Sequence, residues 1–290
     1  MRTKKGAAPK MKSVNYEEDG VATAVGAIFA ILIFIFLLSL FITSYVPAEM
    51  TSYEEQYTSG LNNDMMQFIS AVSLLSLNYQ QGETTSVTFE LQSGYVPLFA
   101  SPTVGELSLT QSSEGSAGYV LVNNSTMQVR SGGTLSVYTN NRYFVNEAFS
   151  YEMSSLFYEQ YGSNPFVNTS LESNILQVEP PSNGSTNLQL NLVNLMGGPL
   201  TISSQSPISL SLTDASENSY LLSGNFTLTY FSIFGYQFYN SILEKLSTIK
   251  GISVKQISEG NGYEQIQFAS VAYPIVLSIH ELNVIVSTSG

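Results

Sequence analysis

Between Val21 and Val46 the chain runs for 26 residues without a charged side chain, VATAVGAIFAILIFIFLLSLFITSYV. At ~1.5 Å per residue a helix of this length reaches roughly 39 Å, more than the ~30 Å hydrocarbon core of a bilayer. The run therefore predicts a transmembrane helix, with the lipid bilayer as its first partner. A secretory signal has a shorter apolar core, ~7–15 residues, followed by a small-x-small cleavage site. Here the core is longer and Pro47 stands where a conventional peptidase would cut.

Orientation follows from the flanking charge. Arg2, Lys4, Lys5, Lys10 and Lys12 precede the run, and the next basic residue is Arg130. Cationic flanks stay on the cytoplasmic side, whereas acids such as Glu17, Glu18 and Asp19 weigh little. The expectation is a cytoplasmic N-terminus and an extracellular C-terminal region, with Tyr16 and Tyr45 at the two membrane rims.

Residues 47–290 hold 19 acidic against five basic side chains. That balance argues against nucleic-acid binding, which needs a basic face. Ser and Thr together supply 64 residues, Asn 21 and Tyr 18, so hydroxyl and amide groups hydrate the surface more than ions do. Such a surface changes little in charge repulsion on acidification, which makes an acidic or hot habitat permissible. With Cys absent and His280 the one histidine, disulfide frameworks, thiolate metal sites and ordinary zinc sites are excluded. The domain must instead be held by a core, and about 210 residues beyond the stalk are enough for one large or two small ones.

Beyond the apolar run, Met50, Tyr53, Tyr57, Leu61, Met65, Phe68, Val72 and Leu75 recur at steps of three or four, which predicts an amphipathic stalk helix over 47–81. Its apolar stripe needs a partner, either the chain's own β domain or the helix of a neighbouring copy. After Gly82 the period changes to two. Val87/Phe89/Leu91, Leu188/Leu190/Leu192, Ile208/Leu210/Leu212 and Phe226/Leu228/Tyr230 alternate with polar residues, and Ile266/Phe268, Ile275/Leu277/Ile279 and Val284/Val286 keep the same spacing late in the chain. These are half-buried strands, punctuated by Gly132-Gly133, Gly197-Gly198-Pro199 and Gly260-Asn261-Gly262. One further helix is predicted near 234–250, where Phe234, Phe238, Ile242, Leu246 and Ile249 share a face and Gly251 ends it. The fold class is mainly β: a transmembrane helix and helical stalk, then an antiparallel β-sandwich with one inserted helix. The division reads 1–20 tail or leader, 21–46 membrane helix, 47–81 stalk, and β-rich regions 82–181 and 182–290. Glu179-Pro180-Pro181-Ser182-Asn183-Gly184-Ser185 is either the boundary between the last two or a loop inside one sandwich.

Residues able to carry chemistry are few. A triad needs a base, a nucleophile and an orienting group, and His280, near a change of strand phase, has no Gly-x-Ser-x-Gly motif to serve. It reads as structural or as a surface residue. Glu147, Glu152 and Glu159 flank an aromatic stretch and are the one cluster worth testing as a glycosidase pair. No catalytic, cofactor-binding or metal residue is assigned, and no cofactor is expected. The stretch itself holds seven rings, Tyr143, Phe144, Phe149, Tyr151, Phe157, Tyr158 and Tyr161. They either fill the sandwich or, through Tyr143, Tyr151, Tyr158 and Tyr161, form a contact face. Asn-x-Ser/Thr acceptors for glycosylation occur at Asn123, Asn124, Asn168, Asn183 and Asn225. That is close to what such an Asn and Ser/Thr content produces by chance.

Glu17-Glu18-Asp19-Gly20 followed by Val21-Ala22-Thr23-Ala24-Val25-Gly26-Ala27-Ile28, a long apolar helix, an amphipathic continuation and a β domain resembles archaeal type IV pilin-like proteins. Their leaders end near a Gly, which implies cleavage after Gly20; Asp19 stands where such leaders usually place a basic residue. The wider chain is similar to a group of archaeal single-pass surface proteins, through the Asn/Tyr-rich stretch from Tyr138 to Glu152 and a late helix followed by C-terminal strands. The resemblance implies an envelope protein and admits assembly into a filament. Three functions result: a non-enzymatic structural or adhesion protein contacting envelope glycans or other surface proteins, a pilin-like subunit joined to copies of itself through the stalk helix, and an external glycan hydrolase.

Overall fold

The computed structural model describes residues 16–78, 80–112, 117–153, 155–160, 166–167, 176–182, 185–223, 226–232, 252–260, 263–270 and 275–288. The helix predicted near 234–250 lies outside them. The chain divides into two compact units, Met1–Glu49 and Met50–Gly290.

In the first unit α1 runs from Tyr16 to Leu40 and gives way to a π-helical turn, Phe41–Tyr45. This one N-terminal helix is long and apolar enough to span a membrane, and none of its most apolar stretch is buried. Ile28, Phe29, Ile33, Phe34 and Phe36 are all exposed. The π-turn has a local cause. Pro47 has no N–H to donate and its ring crowds the carbonyl one turn back, so the ladder widens just before it. The Val46 N–H reaches back to the Phe41 carbonyl, and the Thr43 hydroxyl donates to the Ser39 carbonyl at 2.8 Å. Helix α2, Val46–Asn78, starts there with Pro47 in its first turn.

The second unit is mainly β, a sandwich-like arrangement of three sheets. The first has the order β1 (Thr84–Phe89), β12 (Ile208–Ser223), β16 (Ile275–Thr288), β10 (Ser185–Met196), β9 (Leu176–Ser182). The second runs β11 (Leu200–Ile202), β2 (Glu106–Thr110), β5 (Thr134–Tyr138), β6 (Glu147–Glu152), β7 (Ser155–Gln160), β8 (Phe166–Val167). The third runs β14 (Ile252–Gly260), β15 (Tyr263–Ser270), β13 (Thr227–Ser232), β3 (Tyr119–Asn123), β4 (Gln128–Gly132). Among the described strands pairing is antiparallel except between β10 and β16, which are parallel.

The strands of 82–181 and 182–290 interleave: β1 pairs with β12, β2 with β11, and β3 with β13. The stretch around Pro180-Pro181 is no linker between bodies. It ends β9, an edge strand, where proline costs no ladder bond, and Ser182 pairs with Ser185 at the start of β10.

The stripe on α2 is consumed within the second unit. Tyr57, Leu61, Met65, Phe68, Ile69, Val72 and Leu75 are buried against Phe89, Leu107, Leu109, Val137, Phe149, Tyr151, Leu210 and Val284. The rings of Phe68 and Tyr151 meet edge to face at 5.3 Å. Of the two partners the sequence allows for this stripe, the chain's own β domain is the one seen.

A second core gathers Val120, Val122, Phe157, Leu188, Leu190, Leu192, Leu228, Tyr230, Leu277 and Ile279. On β16, Ile275, Leu277 and Ile279 enter the second core, but Leu282, Val284 and Val286 enter the first. The β10–β16 register is unbroken from Thr186↔Ile275 to Met196↔Ile285. Because side chains alternate at period two, the first sheet buries opposite faces at its two ends. The partner β12 makes the same exchange through a bulge at Ala215, between the Asp214↔Val284 and Ser216↔Asn283 pairs.

Candidate functional site

Where the sheet changes its buried face, between the two cores, polar side chains take over. A cavity of about 340 Å³ opens at this place. Gln189, Asn191 and Val193 of β10, His280 and Leu282 of β16, and Glu217 and Ser219 of β12 line its floor, while Ser73, Ser76 and Leu77 near the end of α2 form a wall. The register explains the grouping: Asn191 and Ser219 both pair with His280, and Val193 and Glu217 both pair with Leu282.

His280 is the hub. Its Nδ1 lies 3.2 Å from the Ser219 hydroxyl and its Nε2 3.3 Å from the Ser278 hydroxyl. Both ring nitrogens therefore face hydroxyls. Gln189 Nε2 donates to Asn191 Oδ1 at 3.1 Å. On the other face, Asn218 Nδ2 donates to Glu281 at 3.2 Å, and Asn194 donates to Asn283 at 2.8 Å. Burial raises the Glu217 carboxyl above its usual range, helped by the charge of Asp214, while His280 pulls it back. The groove thus offers amides, hydroxyls and a carboxylate beside the apolar Leu77, Val193 and Leu282. That lining suits a neutral, hydroxyl-rich ligand, and the volume falls in the range of small-ligand pockets. Among the described residues no group of three or more His, Asp or Glu is placed to hold a metal ion.

The acids singled out in the sequence are held structurally. Glu147 and Glu152 stand five residues apart on β6, which at ~3.3 Å per residue is about 16 Å and, at an odd offset, opposite faces. Glycosidase carboxylates sit roughly 5–9.5 Å apart. Glu147 accepts a short hydrogen bond from the Tyr158 hydroxyl and another from Gln160 Nε2 at 3.0 Å. Burial, then this bond, push the Tyr158 phenol up to about 12. Glu152 is fully buried, accepts from the Thr134 hydroxyl at 3.3 Å, and fills the space a side chain at Gly118 would need. Glu159 pairs with Ala148 across the sheet.

The rings do not form one exposed face. Tyr143 is exposed, Tyr151 is buried in the first core, and Tyr158 is half-buried. Tyr161 lies outside the described residues, as do Asn168, Asn183 and Asn225. Asn123 ends β3 exposed, whereas Asn124 Oδ1 accepts from the Thr126 and Met127 amides in the β3–β4 turn. Gly20 falls within α1. Sequence reasoning marked His280 but missed Asn191, Glu217 and Ser219. Their signal was a run of polar residues on the face that elsewhere carries Leu195 of β10 and Leu210 and Leu212 of β12.

No family model, no curated protein and no solved structure matches this chain.

Proposed function

We propose that this chain is a membrane-anchored, non-enzymatic surface protein that displays its β domain outside the cell and acts by contact. One observation carries the proposal: none of the most apolar stretch of the first helix is buried, while the stripe of α2 from Tyr57 to Leu75 is buried in the chain's own core. The uncovered run then needs lipid around it. The five basic residues before it favour a cytoplasmic N-terminus. The groove around His280 offers the contact surface, and neutral envelope glycans suit its amide and hydroxyl lining. Native membranes washed with alkaline carbonate should retain the full chain, and protease added to intact cells should remove the β domain. Release by carbonate, or protection from protease until the cells are broken, refutes the anchor or its orientation respectively.

The same observation supports a second reading, a pilin-like subunit cleaved after Gly20. With α2 occupied, the run after Gly20 is the surface left to pack against copies of itself. Mass spectrometry of native envelopes decides between the two. A mature N-terminus at Val21 establishes the subunit, and an intact Met1 or Arg2 terminus in every molecule removes it.

A further inference from the structure

Two loops of the second unit converge on the first turns of its helix. The 92–104 loop reaches it through Gly94, whose backbone lies against the Tyr53 ring. The 139–146 loop reaches it through the backbone amides of Arg142, Tyr143 and Phe144, which donate to the buried carboxylate of Glu54. Asn140 Nδ2 ties the two loops together by donating to the Val104 carbonyl at 3.1 Å. Glu54 lies only eight residues beyond Val46, where the uncharged run ends.

These loops present apolar side chains to the outside. Tyr95, Leu98 and Phe99 on the first and Tyr143 and Val145 on the second are exposed, Leu98 completely. Leu98 also has a φ of +68°. Pro97 precedes it, and the Phe99 N–H donates to the Val96 carbonyl at 3.1 Å, the pattern of a type II turn. The third position of that turn favours Gly or Asn. Here the left-handed position carries a Leu that touches nothing of its own domain, so neither turn chemistry nor packing accounts for it. The stem below is well tied. Ser93 N–H donates to the Thr103 carbonyl, and the Thr103 N–H and hydroxyl both donate to the Ser93 hydroxyl at 2.9 Å. A braced stem with a greasy tip is built to put that tip somewhere apolar.

We infer that Leu98 and Phe99, flanked by Tyr95, Tyr143 and Val145, dip into the outer interface of the bilayer from which this chain emerges. The source is argued from continuity: both loops are fastened to the part of α2 that follows the spanning run most closely. Eight residues of helix rise roughly 12 Å, so the attachment point stays within a loop's reach of the headgroup zone, which extends roughly 5–7 Å beyond the hydrocarbon on each side. Tyrosines belong at that level, and Arg142, exposed on the same loop, suits the phosphate layer. This rests on the membrane anchor proposed above.

Because the chain has no cysteine, single labels can be placed cleanly. Full-length Leu98→Cys, Phe34→Cys and Leu221→Cys, each carrying an environment-sensitive fluorophore, are reconstituted in phosphatidylcholine vesicles containing nitroxide-labelled lipids. Leu221 is an exposed residue of β12 far along the chain from either loop. The expected result is loss of Leu98 emission with headgroup-level nitroxides, loss of Phe34 emission with mid-chain nitroxides, and no loss at Leu221. Quenching at Phe34 without quenching at Leu98 overturns the inference and leaves the anchor standing. No quenching at either site refutes the anchor itself. A blue shift at Leu98 that grows with protein-to-lipid ratio but ignores the nitroxides assigns the tip to a second copy and also overturns the inference.

Discussion

The carboxylate of Glu54 sits 2.7 Å from the backbone amide of Tyr143. The same fully buried group also accepts from Arg142 and Phe144, so one helix side chain collects three successive amides of a loop. The loop needs it: a tight turn that points its amides inward has no strand partner for them. Beside it Asn141 Nδ2 donates to the Thr58 hydroxyl and the Val145 carbonyl, extending the clasp by one helical turn.

Replacing Glu54 with Ala should strand those amides in a water-poor site, at about 1–3 kcal/mol for the unsatisfied group. The detergent-solubilised chain should melt earlier and at lower denaturant. Glu54→Gln keeps one acceptor oxygen and should lose less. Thermal unfolding of the three proteins side by side checks the order.

Acid should stabilise the folded domain. Asp214 is buried at the Ala215 bulge, and burial followed by the charge of Glu83 raises its carboxyl above the ordinary value of 3.8. Burial raises Asp64 and Glu217 in the same sense, partly offset at Asp64 by the hydrogen bond from the Glu90 amide and reinforced at Glu217 by the charge of Asp214. A carboxyl whose folded pKa exceeds its unfolded one binds more protons when folded. Its contribution is complete below the unfolded value, roughly 4, and is lost as pH rises through the folded one. The melting temperature should therefore fall from about pH 4 towards neutrality. Asp214→Asn, neutral throughout, should raise it at pH 7 and flatten the slope. A melting temperature that climbs steadily over the same range contradicts this assignment.

The apolar span and the amphipathic helix were legible because each is long and strictly periodic. The strands from Val87 to Phe89, Leu188 to Leu192 and Ile275 to Ile279 were legible because alternation at period two marks a one-sided surface. The parallel β10–β16 pair was not, since strand direction depends on which partner is found across 90 residues of chain and leaves no local trace. The groove was half legible. The shift from Ile279 to Leu282 is visible as a broken alternation, but only the register shows it to be an exchange of faces rather than a bulge in β16. Tyr151 and Glu152 misled in the same way: adjacent residues on a strand buried on both sides look like surface chemistry when read alone.

If the groove binds neutral glycans, His280 and Asn191 hold its floor together. Asn191→Leu keeps the volume and removes the amide, and should weaken binding of a neutral envelope oligosaccharide about tenfold, the equivalent of one good hydrogen bond of ~1.4 kcal/mol. Glycan titration of the detergent-solubilised variant and parent measures this. Equal affinity of the two would move the contact elsewhere on the domain.

Phe68 distinguishes a stalk that merely connects from one that is part of the core. Its ring is fully buried, edge-on to Tyr151 and within the cluster that includes Leu107, Val137 and Val284. Removing a buried ring from such a site costs about 3–5 kcal/mol, from lost burial and the cavity left behind. Were the stripe a contact between copies, Phe68→Ala would leave the dilute domain as stable as before and alter only association. With the stripe inside the β domain, the variant should unfold at markedly lower denaturant at every protein concentration. Measured midpoints that depend on concentration in the parent but not in the variant would return the stripe to a neighbouring molecule.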